Sequence, residues 1–231
     1  MKKVYTGKTK DVYDLENGNY LLQFKDTVTG SEGVFDPGAN TVGLTIAGIG
    51  QLNLAVSTMF FELLADQGIA THYISSEPEK GQMTVVPTTA FGQGVEVICR
   101  YRAVGSFYRR YGKYVQEGDP LDAYVEVTLK DDDRDDPLIT AEGLEALGIM
   151  DHARFNELVE LTRKITKAVS DKIAGKGMEL YDIKFEFGLS PQNELLLIDE
   201  ISSGNMRVYK DGASVKPEEL SQLLLEDYTA L

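Results

Sequence analysis

A strict alternation late in the chain constrains the fold more than any other feature. Tyr181, Ile183, Phe185 and Phe187 share one face of a strand, and Asp182, Lys184 and Glu186 share the other. The aromatic side must pack on a core. The opposite side presents acid, base, acid, which a solvated sheet face carries as readily as a functional one. The next run narrows the choice. Leu195-Leu196-Leu197-Ile198 is apolar without a break, as in a strand buried on both faces, and it ends in Asp199-Glu200. Ser190-Pro191-Gln192-Asn193 joins the two runs. Antiparallel pairing can bring Glu186 and Asp199 close, with the register left open. Carboxylates on neighbouring strands suit Mg²⁺ held together with substrate phosphates.

The other elements are mixed. Val12-Tyr13 and Tyr20–Phe24 flank Asn17-Gly18, a two-residue hairpin signal, and Gly7-Lys8-Thr9-Lys10 reads as the turn before them. Glycines at 30, 33, 38, 43, 48 and 50 predict an irregular, loop-rich stretch. Val56, Met59, Phe60, Leu63 and Leu64 fall at helical spacing ahead of Gly68. A strand over Val95–Cys99, a short helix over 106–112, a long amphipathic helix from Asp151 to Gly175 and a last helix from Pro217 complete the pattern. The class is α+β. Repeats, low-complexity tracts and long linkers are absent.

The chain has 231 residues, enough for one large domain or two tightly joined subdomains. Its 23 Lys+Arg against 37 Asp+Glu leave a net charge of −14, whose field repels phosphate backbones. Nucleic-acid and polybasic membrane binding are therefore not expected. Cys99 is the lone cysteine, read as a small buried residue, so neither a disulfide nor a cysteine zinc site can form within the chain. With only His72 and His152, histidine metal clusters are excluded and histidine triads poorly supported. The N-terminal Met-Lys-Lys-Val-Tyr-Thr-Gly-Lys lacks the apolar run of a signal peptide, and no stretch nears the ~18 apolar residues of a membrane span. The expectation is a soluble, cytoplasmic protein.

Against that acidity, Arg100, Arg102, Arg109, Arg110 and Lys113 stand out as a basic cluster. Two arginines with Ser106 can hold a phosphate by charge-assisted hydrogen bonds; ion pairing to surface acids is the plain alternative. The lysines of Gly7-Lys8-Thr9-Lys10 can cover nucleotide phosphates or simply face water. Familiar nucleotide motifs fail: Gly43 to Gly48 has P-loop spacing, but Ile49 stands where its lysine belongs. The run Lys130-Asp131-Asp132-Asp133-Arg134-Asp135-Asp136-Pro137 lacks calcium-loop spacing and by itself reads as a solvated loop.

Together these pieces resemble one family. Tyr-Thr-Gly-Lys-Thr-Lys-Asp-Val-Tyr at 5–13, Phe-Lys-Asp at 24–26 and Gly-Ile-Ala-Thr-His at 68–72 are followed by Cys-Arg-Tyr-Arg-Ala-Val-Gly-Ser-Phe at 99–107. Lys-Asp-Asp…Asp-Pro-Leu-Ile at 130–139, Asp-Ile-Lys-Phe-Glu-Phe-Gly at 182–188, Asp-Glu-Ile-Ser at 199–202 and Arg207 complete the ordered set. The chain resembles the phosphoribosylaminoimidazole-succinocarboxamide synthase (SAICAR synthetase) family over nearly its whole length. The resemblance implies a two-lobed α+β fold with ATP between the lobes. Residues 1–90 would form a β-rich nucleotide-covering lobe, and residues 91–231 an α+β lobe for substrate and metal. It implies an ATP-dependent ligase of purine biosynthesis that joins the carboxylate of an aminoimidazole ribonucleotide to L-aspartate through an acyl phosphate.

By position, the resemblance places Lys8, Lys10 and Val12 at ATP, and Glu186 and Asp199 on Mg²⁺. Arg100, Ser106, Asp136, Asp182 and Arg207 fall at the substrates, and Lys184, with Glu186 and Asp199, at the reacting centre. It also implies a homodimer. Two segments depart from the family pattern. Ser202-Ser203-Gly204-Asn205-Met206-Arg207 replaces the usual Ser-Pro-Asp before the arginine, and Ile49-Gly50…Asn53-Leu54 replaces a Lys-Gly…Asn-Asn loop. Both sit at the expected substrate end. The expectation is that Asn205 or backbone amides take over the missing aspartate's substrate contacts. A sister carboxylate–amine ligase and a non-catalytic nucleotide-binding paralogue are the alternative readings.

Overall fold

A computed structural model describes residues 1–31, 33–39 and 41–228. The chain opens with strands β1 (Lys2–Thr6), β2 (Lys10–Asp14) and β3 (Tyr20–Phe24), joined as antiparallel hairpins. The hairpin signal at Asn17-Gly18 is realised in a longer loop, because Asp14 pairs with Tyr20 and residues 15–19 lie between. The Asp14 carboxylate accepts the Glu16 N–H at 2.7 Å, and the Asn17 side chain accepts the Asn19 N–H at 3.1 Å. These local turns widen the connection.

Next come β4 (Thr27–Ser31), β5 (Val34–Phe35) and β6 (Val42–Thr45), which form a small antiparallel sheet. This corrects the expectation of irregular chain. A Cβ on Gly43 would lie 2.6 Å from the Cα of Gly30, so these glycines permit close strand approach instead of breaking the element.

Helix α1 (Ile49–Asp66) buries Val56, Met59, Phe60 and Leu64 and stops ahead of Gly68, whose φ is 66°. Gly48 at its N-terminal cap has no side chain to offer. The Asp26 carboxylate does the capping from outside the helix, accepting the Gly48 N–H at 3.0 Å and the Gly50 N–H at 3.1 Å. Strands β7 (Tyr73–Glu77) and β8 (Gln82–Val85) complete the first sheet, in the order β1-β2-β3-β8-β7.

The second large sheet is built from β9 (Thr89–Ala90), β10 (Val95–Arg102), β11 (Pro120–Leu129) and β12 (Leu138–Ile139). Helix α2 (Gly105–Tyr111) lies between β10 and β11, while α3 (Ala141–Ala146) and α4 (His152–Ala174) follow β12. Then come β13 (Glu179–Leu189), β14 (Leu195–Ile198), β15 (Met206–Lys210), β16 (Ala213–Ser214) and helix α5 (Pro217–Leu225). Pairing crosses residue 90. Strand β9 bonds to β13, Thr71 bridges Leu197 and α1 packs on α5.

Strand β13 is central. One edge pairs with β10, Glu96 opposite Glu186 and Arg100 opposite Asp182. The other edge is shared between β14, with Ile198 opposite Glu186, and β15, with Met206 opposite Ile183. Strands β14 and β15 therefore run as one interrupted strand, and residues 199–205 form an excursion beside Lys184 and Phe185. The two sheet faces differ sharply. Val97, Cys99, Ile183, Phe185 and Phe187 are buried on the α4 side, against Leu158, Ile165 and Val169. Asp182, Lys184 and Glu186 lie on the opposite face, which turns towards cavities beneath the N-terminal strands. Burial pushes the Cys99 thiol pKa up, in keeping with an inert core residue. Among the described residues no helix is long and apolar enough to cross a membrane.

The remote cap yields a stability test. Asp26→Ala leaves two N–H groups at the start of α1 without their acceptor and should lower the unfolding free energy by about 1–2 kcal/mol. Asp26→Asn, which keeps an acceptor oxygen, should lose less. Chemical denaturation of both variants measures the difference, and equal losses would show that the hydrogen bonds to Asp26 are not what holds the helix start.

Candidate active site

Two cavities adjoin on the polar face of β13. One, of about 710 Å³, is lined by Lys8, Lys10, Val12, Lys130, Glu186 and Asp199 among others. Its neighbour, of about 780 Å³, is lined by Arg100, Ser106, Asp136, Asp182 and Arg207 among others. Lys184 borders both, as do Glu96 and Asn205. The residues the resemblance placed at ATP and metal thus fall around one space, those it placed at the substrates around the other, and Lys184, which it placed at the reacting centre, stands between.

Ion pairs organise the first cavity. Lys10, on β2, is buried, and its Nζ lies 3.0 Å from Asp199 Oδ1 and also bonds Glu200 Oε1. Burial opposes its charge, but Asp199 and Glu200 outweigh that effect and raise its pKa. Lys130 Nζ meets Glu186 Oε1 at 2.6 Å, and Lys184 Nζ meets Glu96 Oε1 at 2.7 Å. Burial and the neighbouring Asp199 push the Glu186 carboxyl upwards, with Lys130 opposing them. For Asp199 burial acts in the same upward direction, but Lys10 and Lys130 overcome it and hold the carboxyl below its usual value. Glu200 Oε2 is buried without a hydrogen-bond partner. Lys8, on the β1–β2 turn, reaches across to Asp132 Oδ1 at 2.7 Å.

In the second cavity the basic cluster divides. Arg100 is 2% exposed, and its guanidinium is fully engaged within the protein. Nε donates to Glu126 Oε1 at 3.0 Å, Nη1 to Asp182 and the Val104 carbonyl, and Nη2 to Ser106 Oγ at 2.9 Å and to Glu126 Oε1. Arg207 donates to Asp182 Oδ2 at 2.8 Å and to Asp36 Oδ1 at 2.5 Å. A Cβ on Gly105 would lie 2.7 Å from Arg207 Nη1, so that glycine makes room for the guanidinium. Arg110 pairs with Glu126 at 2.6 Å, whereas Arg102 turns away to Glu179. Asp136 lines the cavity, and its Oδ1 accepts the Asp131 N–H at 2.7 Å, fixing the acidic loop.

The excursion at 199–205 corrects one expectation. The Asn205 amide is consumed internally: its Oδ1 accepts the Ser202 N–H at 2.9 Å, and its Nδ2 donates to the carbonyls of Lys184 at 3.0 Å and Glu200 at 2.8 Å. With the Lys184 N–H donating to the Asn205 carbonyl at 2.9 Å, this residue staples β13 where neither β14 nor β15 pairs with it. Ser203 also turns inward, donating to Asn53 Oδ1 at 2.7 Å and accepting from Ser221 Oγ at 3.0 Å. The two departures from the family pattern therefore meet each other. Neither Asn205 nor Ser203 has a side-chain donor free for substrate.

Glu96, Lys130, Glu126, Asp36 and Glu200 join the site without having been singled out as site residues from sequence. Glu200 closes the apolar run at 195–198 beside Asp199 and Lys130 opens the motif at 130–139, and a fainter signal existed for two others. Glu96 is a charge inside the apolar run Val95–Cys99, and Glu126 sits between Val125 and Val127. Nothing in sequence links Asp36 to Arg207.

Comparison with known proteins places the chain in a family. A family model described as SAICAR synthetase matches residues 3–223. The phosphoribosylaminoimidazole-succinocarboxamide synthase of Clostridium tetani is 58% identical over 227 residues, covering 98% of this chain and 100% of that one. The synthase of Finegoldia magna is 36% identical over 222 residues, covering 94% and 89%. Among solved structures, a SAICAR synthetase in complex with ADP matches with a TM-score of 0.86 at 26% identity, covering 99% of this chain and 100% of that one. The phosphoribosylaminoimidazole-succinocarboxamide synthase of Ehrlichia chaffeensis matches with a TM-score of 0.83 at 26% identity, covering 94% and 90%. With most of its length matched by the family model and by full-length relatives, the chain belongs to the SAICAR synthetase family.

Proposed function

We propose that the chain is an ATP-dependent ligase of purine biosynthesis. It condenses the carboxylate of carboxyaminoimidazole ribonucleotide with L-aspartate, releasing ADP and phosphate. One observation carries the assignment of roles: Lys184 stands on the wall between a lysine-rich, carboxylate-rich cavity and an arginine-lined one. ATP belongs in the first, where Val12, Leu22 and Val28 offer apolar lining for the base and Lys8 and Lys10 face the phosphates. The ribonucleotide belongs in the second, so its carboxylate and the terminal phosphate meet at Lys184.

A carboxylate is a poor electrophile. Attack of its oxygen on the γ-phosphorus forms an acyl phosphate and expels ADP; the aspartate amine then attacks the acyl carbon and phosphate leaves. Both steps gather negative charge, which Lys184 and Lys130 are fixed by Glu96 and Glu186 to neutralise. Mg²⁺ fits this cavity. Its lining carries four lysines against six carboxylates, which by itself repels a polyphosphate, and Glu186 is already driven towards its protonated form by burial and Asp199. Glu186 and Asp199, which line the same cavity, would hold the ion. When bound, the ion supplies positive charge to the phosphate oxygens. The enzyme is read as cytoplasmic and, from the family resemblance, homodimeric. Residues 1–90 are read as the lobe that covers the nucleotide.

Within the second cavity we assign Arg207 and Ser106 to the ribonucleotide and Arg100 to holding the floor beneath them, since every Arg100 donor is used inside the protein. Asp182 then orients Arg207. The assay that tests the function measures ADP release with ATP, the ribonucleotide and one amine at a time. Release that requires L-aspartate is the expected result. Release with a different amine would identify a sister ligase, and tight ADP binding without turnover a paralogue that has lost catalysis.

Two variant sets test the roles. Glu186→Gln and Asp199→Asn keep shape, so each should fold normally yet lose at least ~100-fold in turnover, about 2.7 kcal/mol of barrier. Near-normal turnover with an unchanged magnesium requirement would dismiss the proposed metal pair. Arg207→Ala should weaken the ribonucleotide by roughly ten- to a hundredfold while sparing ATP. Arg100→Met should act first on stability, by about 1.5–3 kcal/mol in chemical denaturation, because it takes one of two arginine partners from each of the buried carboxylates Glu126 and Asp182, leaving Arg110 and Arg207 as the others. A stable Arg100→Met that merely binds the ribonucleotide poorly would restore Arg100 to direct contact.

A further inference from the structure

His72 is buried at 4% exposure, and no step above uses it. Its ring tilts against Phe61, 5.7 Å between centroids, and its Nε2 lies 3.2 Å from the Asp199 carbonyl oxygen. A carbonyl can only accept, so Nε2 carries the proton and the tautomer is fixed. The backbone grips the same strand. The His72 N–H donates to the Leu197 carbonyl at 3.0 Å, and the His72 carbonyl accepts the Val86 N–H at 2.8 Å. One residue thus ties the end of β14 to Val86, just past β8, gripping that end at two points, Leu197 by its main chain and Asp199 by its ring.

The second point matters because Asp199 is where the strand breaks. Its φ is 68°, in the left-handed region that side-chain-bearing residues seldom adopt. In that conformation its carboxylate meets Lys10 and stands beside Glu186. Relaxation to an extended backbone would continue β14 and turn the carboxylate out of the cavity, since successive strand residues point to opposite faces. The ring contact opposes that relaxation by holding the Asp199 carbonyl.

We propose that His72 is a positioning residue. Its Nε2–H, bonded to the Asp199 carbonyl, keeps Asp199 in the left-handed conformation that aims its carboxylate at the nucleotide-bound cation. The proposal rests on the reading that Asp199 holds that cation. Outer-shell partners of metal-binding groups are worth 10–100-fold in metal affinity elsewhere, and this contact acts at the same remove.

The test is ADP binding by calorimetry, with and without Mg²⁺, alongside thermal unfolding of the free protein. His72→Phe keeps the ring and removes the donor. Its affinity for ADP with Mg²⁺ should fall about tenfold, while metal-free ADP binding and the unfolding temperature stay near those of the unaltered protein. His72→Gln, which can place an amide N–H where Nε2 was, should recover most of the loss. His72→Asn, too short to reach, should not; the Gln and Asn pair decides the matter if His72→Phe does not fold. Equal losses with and without Mg²⁺, or no difference between Gln and Asn, would reduce His72 to a packing role and overturn the proposal. A magnesium enhancement that His72→Phe fully retains would also overturn it while leaving the function standing. Unaltered protein whose ADP affinity ignores Mg²⁺ would overturn the cation site and this proposal with it.

Discussion

Burying charge on a sheet face is unfavourable unless each charge meets its opposite, and that requirement shapes this whole molecule. Asp182, Lys184 and Glu186 leave water beneath the N-terminal strands, and each has a partner from another element: Arg100 and Arg207, Glu96, and Lys130 respectively. Lys10 comes from the first sheet to neutralise Asp199 and Glu200. Docking of that sheet over β13 therefore completes the charge balance as well as the core. Removing one member of such a set leaves a desolvated charge behind. The same arrangement prepares the site for chemistry. Charges already fixed by ion pairs need little reorganisation when negative charge develops.

The interruption of a strand shapes the cavity wall. Had β14 continued into β15 without a break, the edge of β13 at Lys184 would be an ordinary ladder. Instead residues 199–205 leave the sheet, Asn205 substitutes for the missing ladder bonds, and Asp199 turns into the cavity. The inward Ser203 fastens the excursion to α1 through Asn53 and to α5 through Ser221. The segment in which this chain departs from its family's pattern is thus a structural clasp with its own compensation, and it leaves Lys184, Glu186, Asp199 and Arg207 in place.

Much of this was legible in the sequence because the strongest signals were local. Helices α1 and α4 follow the apolar spacing from Val56 to Leu64 and from Phe155 to Ile173. The alternation of Tyr181–Phe187 and the apolar run at 195–198 appear as β13 and β14, paired antiparallel. What stayed hidden was long-range. Alternation showed a charged face, but only the N-terminal sheet lying over it makes that face a cavity. Arg100 looked like a phosphate ligand because sequence does not show Glu126 and Asp182 converging on it. The glycines at 30 and 43 looked like breakers because the close contact they permit joins residues thirteen apart in the chain.

The central claim is that the carboxylates and lysines of one cavity hold a nucleotide and its cation while the arginines of the other hold the ribonucleotide, with Lys184 between. A crystal structure of the chain with ADP, Mg²⁺ and the ribonucleotide tests this most directly. The account predicts the diphosphate beside Lys8 and Lys10, and a cation at about 2.0–2.1 Å from oxygens of Glu186 or Asp199. It further predicts the ribonucleotide phosphate on Arg207, with the substrate carboxylate nearest Lys184. ADP in the arginine-lined cavity, or a cation with no contact to either carboxylate, would contradict it.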